Sequence, residues 1–85
     1  MMFFDHSNSH ASVWAAIDRI ASDYDLTASG LAIELGMHPT AFNKSKRTGP
    51  GGRLRWPSSE TIARILARVG MTFSEFGALV DEVAA

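Results

Sequence analysis

The sequence predicts an all-α domain built from five short helices. Apolar residues recur at helical spacing in several segments, and residues that favour helix ends stand at the borders of those segments. The chain has 85 residues, of which 46% are hydrophobic, and this suffices for one packed core. We therefore expect a flexible N-terminal leader at residues 1–11 and a single folded domain over residues 12–85.

The first helix is predicted over residues 12–24, with Ser12 as its N-cap. Its apolar face consists of Val13, Trp14, Ile17, Ile20, Ala21 and Tyr24. The charged residues Asp18, Arg19 and Asp23 fall on the other side, which we expect to face solvent.

The second and third helices are predicted to form a helix-turn-helix over residues 26–46. Thr27 caps the second helix at residues 28–35, and Gly36 supplies the left-handed turn that ends it. Pro39 then opens the third helix at residues 39–46, where its missing N–H is not needed. In this arrangement the second helix of the pair enters a DNA major groove. The alternative is an ordinary helical hairpin in a small bundle.

A glycine-rich stretch follows the predicted helix-turn-helix. Residues 48–52 contain three glycines and one proline, which predicts a mobile loop. The chain then continues in extended form, because Trp56 precedes Pro57. We expect Trp56 to pack on the core, since the next helix needs an apolar anchor. A base-stacking role and a place in a dimer interface are the alternatives for this side chain.

The fourth and fifth helices carry clear boundary signals. Ser58 is the predicted N-cap of a helix at residues 59–69, and Gly70 ends that helix. Thr72 opens a capping box before the fifth helix, which is predicted at residues 73–83. Both helices have apolar stripes that face the expected core.

Composition excludes several classes of protein. The chain has no cysteine, so it has no disulfide, no thiolate zinc site and no thiol nucleophile. No apolar run reaches the roughly 18 residues that span a bilayer, and the N-terminus lacks the features of a signal peptide. These observations favour a cytoplasmic protein. We expect no metal site at His6 and His10, since no third ligand converges there.

The distribution of charged residues along the chain indicates nucleic-acid binding more strongly than the net charge does. The net charge is −1 and the sequence pI is about 6.2. Nevertheless residues 35–59 contain no acid and all but three of the basic residues. The basic residues of this stretch are Lys44, Lys46, Arg47, Arg53 and Arg55. They predict a positive patch beside the third helix, where a DNA-facing surface is expected.

The order of these features resembles the Cro/C1-type helix-turn-helix family, over residues 13–80. The resemblance is carried by Leu31-Ala32, Gly36-Met37, Pro39-Thr40, Phe42 and the block from Pro57-Ser58 to Gly70-Met71-Thr72. The segments PTAFNKSKR and GRLRWPSSETIARIL are similar to the N-terminal domains of bacterial repressors that carry a LexA-like S24 peptidase domain. The resemblance implies a compact, five-helix, lambda-repressor-like DNA-binding domain of bacterial or phage origin.

Two departures from the family pattern concern the DNA-facing side. Ala28 stands where phage repressors often have glutamine, a side chain able to reach a phosphate or support a base-reading residue. The loop between the third and fourth helices is also longer and more basic than usual, which transfers part of the expected DNA contact to the loop.

The resemblance also implies the residues that contact DNA. The expected base contacts are His38, Pro39, Thr40, Asn43 and Lys44. The expected backbone contacts are Ser29, Lys46, Arg47, Arg53 and Arg55. The chemistry suits these roles, because asparagine pairs with adenine, lysine donates to guanine, and cationic side chains hold phosphates. Placement of an arginine from the glycine-rich loop in the minor groove is a further possibility.

These inferences predict a sequence-specific regulator of transcription that binds double-stranded DNA, in the manner of a repressor. A single third helix reads only a few base pairs, so we expect a homodimer on a palindromic operator. The alternatives are an antitoxin-type autoregulator and a protein-interaction module that keeps the fold without DNA binding. No enzymatic activity, cofactor, metal, membrane contact or small-molecule substrate is expected.

Overall fold

The structure is a computed structural model that describes residues 6–84, and four α-helices form within them. The helices are α1 (His6–Asp23), α2 (Ala28–Glu34), α3 (Ser59–Val69) and α4 (Phe73–Ala84). Between α2 and α3 the chain forms only two single turns of 3-10 helix, Lys44–Lys46 and Pro50–Gly52. The all-α class is therefore confirmed, but the described residues contain four α-helices and not five.

The first helix begins six residues earlier than the sequence predicted. Residues 6–11, assigned to a flexible leader, lie within α1, while residues 1–5 lie outside the described part of the chain. Ser12 is inside the helix and not its N-cap, and its hydroxyl donates to the Asn8 carbonyl oxygen at 2.9 Å. The helix extends this far because its first turns carry His10, a buried side chain with tertiary contacts.

The start of α2 and the start of α3 follow the predicted capping chemistry. Thr27 Oγ1 accepts from the Gly30 N–H at 3.0 Å, and Ser58 Oγ accepts from the Thr61 N–H at 3.0 Å. Each contact satisfies one of the amide groups that a helix leaves without an internal partner at its first turn. Both N-cap predictions are confirmed.

The start of α4 and the ends of α2 and α3 also agree with the sequence signals. The Thr72 and Glu75 side chains each accept from the other residue's backbone N–H, at 3.0 and 2.9 Å respectively, which completes the capping box. Gly36 and Gly70 have φ angles of 72° and 71°. A side chain at either position would be strained in this left-handed conformation.

One apolar core joins all four helices. It consists of Trp14, Ala16, Ile17, Ile20, Ala21, Leu31, Ala32, Leu35, Phe42, Ile65, Leu66 and Phe76. Helix α1 packs against α4 and α2, and α3 packs against α4. Two apolar-face residues that stand at helix ends, Tyr24 and Phe73, are 51% and 58% exposed. The Tyr24 hydroxyl donates to the Val69 carbonyl oxygen at 3.1 Å.

Two further properties of residues 6–84 concern membranes and metal ions. None of the helices in this range is long and apolar enough to cross a bilayer. The same range has no cluster of three or more His, Cys, Asp or Glu side chains placed to hold a metal ion.

Candidate nucleic-acid interface

The predicted third helix at residues 39–46 is wrong, because this segment forms successive turns. The Ala41 N–H donates to the His38 carbonyl and the Asn43 N–H donates to the Thr40 carbonyl, both in the tight three-residue pattern. Asn43 is extended, with φ −62° and ψ 146°, and it separates these turns from the 3-10 turn Lys44–Lys46. We call residues 38–46 the basic turn.

Local side-chain chemistry explains why the basic turn is not an α-helix. The Nδ1 of His38 accepts from the Thr40 N–H at 3.2 Å and lies 2.8 Å from Thr40 Oγ1. Polar side chains that bond to nearby backbone in this way compete with helix formation. In an α-helix the Phe42 carbonyl would accept from the Lys46 N–H. Here it accepts from the Arg47 guanidinium, at 3.1 and 2.7 Å.

The five candidate base-contact residues all lie on the basic turn, but they differ in exposure. His38, Pro39 and Lys44 are exposed, whereas Thr40 and Asn43 are partly buried. Because the Thr40 hydroxyl is close to His38, it is engaged within the turn. Lys44 is therefore the most accessible hydrogen-bond donor among the candidates that the sequence analysis favoured.

Arg47, assigned to a phosphate contact, is buried, which leaves little of its side chain accessible to a phosphate. Its guanidinium donates two hydrogen bonds to the Asp18 carboxylate, at 2.8 and 2.7 Å. The side chain is 10% exposed and also lies over the Trp14 ring, 4.6 Å from its centroid. Four of the five guanidinium N–H groups therefore bond to Asp18 or Phe42, so Arg47 ties the basic hairpin to α1.

Residues 47–55, which we call the basic hairpin, form an ordered reversal of the chain where a mobile loop was expected. Thr48 and Leu54 form an isolated antiparallel bridge. The Arg55 N–H donates to the Arg47 carbonyl at 3.0 Å, and the Gly49 N–H donates to the Arg53 carbonyl at 2.6 Å. The positive φ angles of 71° at Gly51 and 77° at Gly52 allow the chain to reverse.

A stripe of three α1 side chains anchors the basic hairpin. His10, Trp14 and Asp18 are spaced four residues apart and therefore share one face of the helix. The His10 Nε2 is 2.9 Å from the carbonyl oxygens of both Arg47 and Arg55, and it must donate to them because carbonyl oxygens only accept. The Trp14 indole N–H donates to the same Arg55 carbonyl at 3.0 Å. We call these three residues the anchor stripe.

Two residues of the anchor stripe, His10 and Asp18, were not predicted from the sequence to contact the basic hairpin. His10 was assigned to the leader, and Asp18 to the solvent side of the first helix. A signal was present nonetheless: Asp18 stands one helical turn after Trp14, a residue correctly expected to be buried. A charged residue beside a buried aromatic residue needs a partner, and residues 35–59 hold five of the eight lysines and arginines and no acid.

Four cationic side chains remain exposed on the basic turn and the basic hairpin. Of the five basic residues in residues 35–59, Arg47 is paired with Asp18, which leaves Lys44, Lys46, Arg53 and Arg55. The Arg55 guanidinium lies over Gly49, where a β-carbon would come within 2.8 Å of Arg55 Nε. We call these four residues the cationic group. Because no acid lies in residues 35–59, this part of the chain is uniformly positive.

The remaining predicted residues lie outside the cationic group. Ser29 is partly buried in the first turn of the short helix α2, so it is less accessible than the basic residues. Trp56, expected in the core, is 44% exposed, and that expectation is wrong. Its chain segment follows the edge of the hairpin, and the core position beside α1 is already filled by Trp14.

No protein-family model matches the chain, and neither the curated proteins nor the solved structures include one that is significantly similar to it. The resemblance to the Cro/C1-type family therefore stays a prediction from the residues that carry it.

Proposed function

We propose that the chain binds double-stranded DNA and acts as a transcriptional regulator, in the manner of a repressor. The observation that supports this proposal is the cationic group, Lys44, Lys46, Arg53 and Arg55, exposed along an acid-free stretch of the chain. Exposed lysine and arginine side chains of this kind neutralise phosphates and release counterions, which supplies sequence-independent affinity. The proposal assigns no catalytic role to the protein.

The absence of an α-helix at residues 39–46 changes the proposed mode of binding. A three-residue 3-10 turn cannot lie along a major groove as a recognition helix does. We therefore assign most of the affinity to phosphate contacts from the cationic group. Base contacts are assigned to Lys44 first and Asn43 second, since a turn can still direct one or two side chains at base edges.

Sequence selection by so small a surface requires two copies. One basic turn reaches only a few base pairs, so we propose that two chains bind a palindromic site. The expected contact between copies is the edge of α4 around Val80 and Val83, together with Gly70-Met71. Within one chain Met71, Val80 and Val83 pack partly against the core, so each has some apolar surface left.

A salt titration with duplex DNA tests the proposal. If the four side chains of the cationic group each neutralise a phosphate, log K falls with log salt at a slope of about −4. Arg53→Ala should weaken binding to all duplexes and reduce the slope by about 1. Lys44→Ala should in addition relax the preference for a selected sequence over a random one.

Arg19→Ala is the matched control for these variants. It also removes one arginine charge, but Arg19 lies on α1, where it pairs with Asp23 and Glu82. We expect its affinity and salt slope to equal those of the unmodified chain. Absence of binding at low salt would exclude the DNA proposal and favour the protein-interaction module. Equal losses for Arg19→Ala and Arg53→Ala would show that net charge, and not the cationic group, governs binding.

A further inference from the structure

The two tryptophans of the chain have opposite environments. Trp14 is 5% exposed and donates its indole N–H to a backbone carbonyl, whereas Trp56 is 44% exposed. Trp56 directly follows the basic hairpin, where the chain is extended. Tryptophan is on average a highly buried residue, so an indole with this much exposed surface is unusual.

The Trp56 ring has an aromatic neighbour on α1. The His10 imidazole meets it in an edge-to-face arrangement, with ring centroids 5.2 Å apart and an interplanar angle of 83°. His10 is in turn held by the carbonyl oxygens of Arg47 and Arg55. The indole therefore contacts His10 and is 44% exposed to solvent.

Cationic side chains stand next to this ring along the chain. Arg55 is adjacent to Trp56, and Arg53 is three residues before it. An extended chain rises about 3.3 Å per residue, so the Cα atoms of both arginines lie within about 10 Å of the Trp56 Cα atom. An aromatic platform beside a cationic track is the arrangement with which proteins bind single strands, where bases stack and phosphates pair with the charges.

We infer that Trp56 stacks on an unpaired base, and that the basic hairpin therefore binds single-stranded DNA as well as duplex. The inference rests on the proposed function, because Arg53 and Arg55 would hold the phosphates in both cases. In duplex DNA the faces of the bases are covered by their neighbours, so an indole reaches a base face only where a base is unstacked. Stacking of this kind tolerates any sequence, since every base has an aromatic face.

Tryptophan fluorescence measures the contact directly. The probes are an oligodeoxythymidine of about 12 nucleotides, within the site sizes of single-strand binders, and a duplex at equal phosphate concentration. Because Trp14 is buried, stacking on Trp56 should quench part of the emission with the single strand and leave it nearly unchanged with the duplex.

Trp56→Leu keeps an apolar side chain against His10 but removes the stacking surface. We expect it to weaken oligodeoxythymidine binding roughly tenfold and to change duplex binding less than about twofold. Trp56→Phe should recover most of the lost affinity, because phenylalanine also stacks. Phe73→Leu is the matched control, since Phe73 is an aromatic residue outside residues 35–59 that is even more exposed, at 58%, and it should alter neither affinity.

Each outcome separates this inference from the proposed function. Duplex binding without oligodeoxythymidine binding, or without quenching, overturns the inference and leaves the proposed function standing. Failure to bind either probe overturns both. Equal weakening of both probes by Trp56→Leu, with an unchanged thermal unfolding curve, shows that Trp56 acts by positioning the hairpin and overturns the stacking role.

Discussion

The α3–α4 helical pair and the segment between α2 and α3 are held in place by different kinds of contact. In residues 59–84 each helix is defined by its neighbours in sequence: a cap at the start, a glycine or a capping box at the junction, and an apolar stripe. In residues 35–58 the defining contacts come from α1, which is 29 to 45 residues away in the sequence.

This difference shows what each kind of structure requires of a sequence. A capped helix needs the right residues within four positions of one another, so a local pattern determines it. The basic hairpin needs the anchor stripe, which is complete only after α1 has packed beside it. Removal of one anchor residue should therefore disturb residues 47–55 selectively, whereas removal of a cap should lower the free energy of unfolding without disturbing residues 47–55 in particular.

Asp18→Ala should produce the largest loss. It leaves the Arg47 guanidinium, whose side chain is 10% exposed, without its carboxylate partner, and breaking such a pair costs about 3 kcal/mol. Urea unfolding measures the change in the free energy of unfolding. Asp23→Ala is the control, because Asp23 lies on the same helix in an exposed ion pair, where the loss should stay below about 1 kcal/mol. Similar losses in the two variants would contradict the anchoring role of Asp18.

His10→Phe should cause a smaller and more local change. It keeps an aromatic ring beside Trp56 but removes the donor to two carbonyl oxygens, at a cost of about 1–3 kcal/mol. Amide hydrogen exchange distinguishes the two regions: the Arg55 N–H should exchange faster, and the Ile62 N–H in α3 should change only by the global loss of stability. Equal acceleration at both amides would mean that the hairpin and α3 open as one unit.

Ser58→Ala and Thr72→Ala should each lower the free energy of unfolding by about 1 kcal/mol, the usual value of an N-cap. The double variant should lose about 2 kcal/mol, because the two caps share no contact. Ser74→Ala removes a serine hydroxyl from an exposed position within α4 and should change stability by less than about 0.5 kcal/mol. A loss as large in Ser74→Ala would show that the caps have no special role.

Gly49→Ala should have the smallest effect on stability, under about 0.5 kcal/mol, since the φ of −96° at Gly49 is accessible to alanine. The added methyl group would meet the far end of the Arg55 side chain, which can move away. The side-chain Nε–H resonance of Arg55 should shift in an NMR spectrum while duplex affinity falls slightly. An unchanged Arg55 resonance would show that its guanidinium does not rest on Gly49.

The sequence predicted the helical scaffold well because its signals are local. The bounds predicted for α3 agree with the structure, and those of α2 and α4 differ by one residue each. The caps at Thr27, Ser58 and Thr72 are confirmed. The start of α1 was missed, because the residue that anchors its first turns, His10, has its partners in the basic hairpin.

The candidate interface was predicted less well, for a physical reason. Five basic residues in a stretch without acids show that positive charge is concentrated there. They do not show which of the side chains face solvent. Arg47 is one residue from Lys46, yet it is buried while Lys46 is exposed, since only Arg47 reaches Asp18. The turn at residues 38–43 was likewise predicted to be a helix. The His38 and Arg47 side chains bond to backbone groups of this segment and so compete with helical hydrogen bonds, and apolar periodicity in the sequence carries no sign of such contacts.

The fixed backbone of the basic hairpin has a thermodynamic consequence for any ligand that docks on it. A mobile glycine-rich loop must lose conformational entropy when it binds, and each ordered residue costs about 1–2 kcal/mol. Here the bridge between Thr48 and Leu54 and the contacts of Arg55 with α1 have already ordered that backbone during folding. The arginines are thus preorganised, and more of their attraction for an anion appears as affinity.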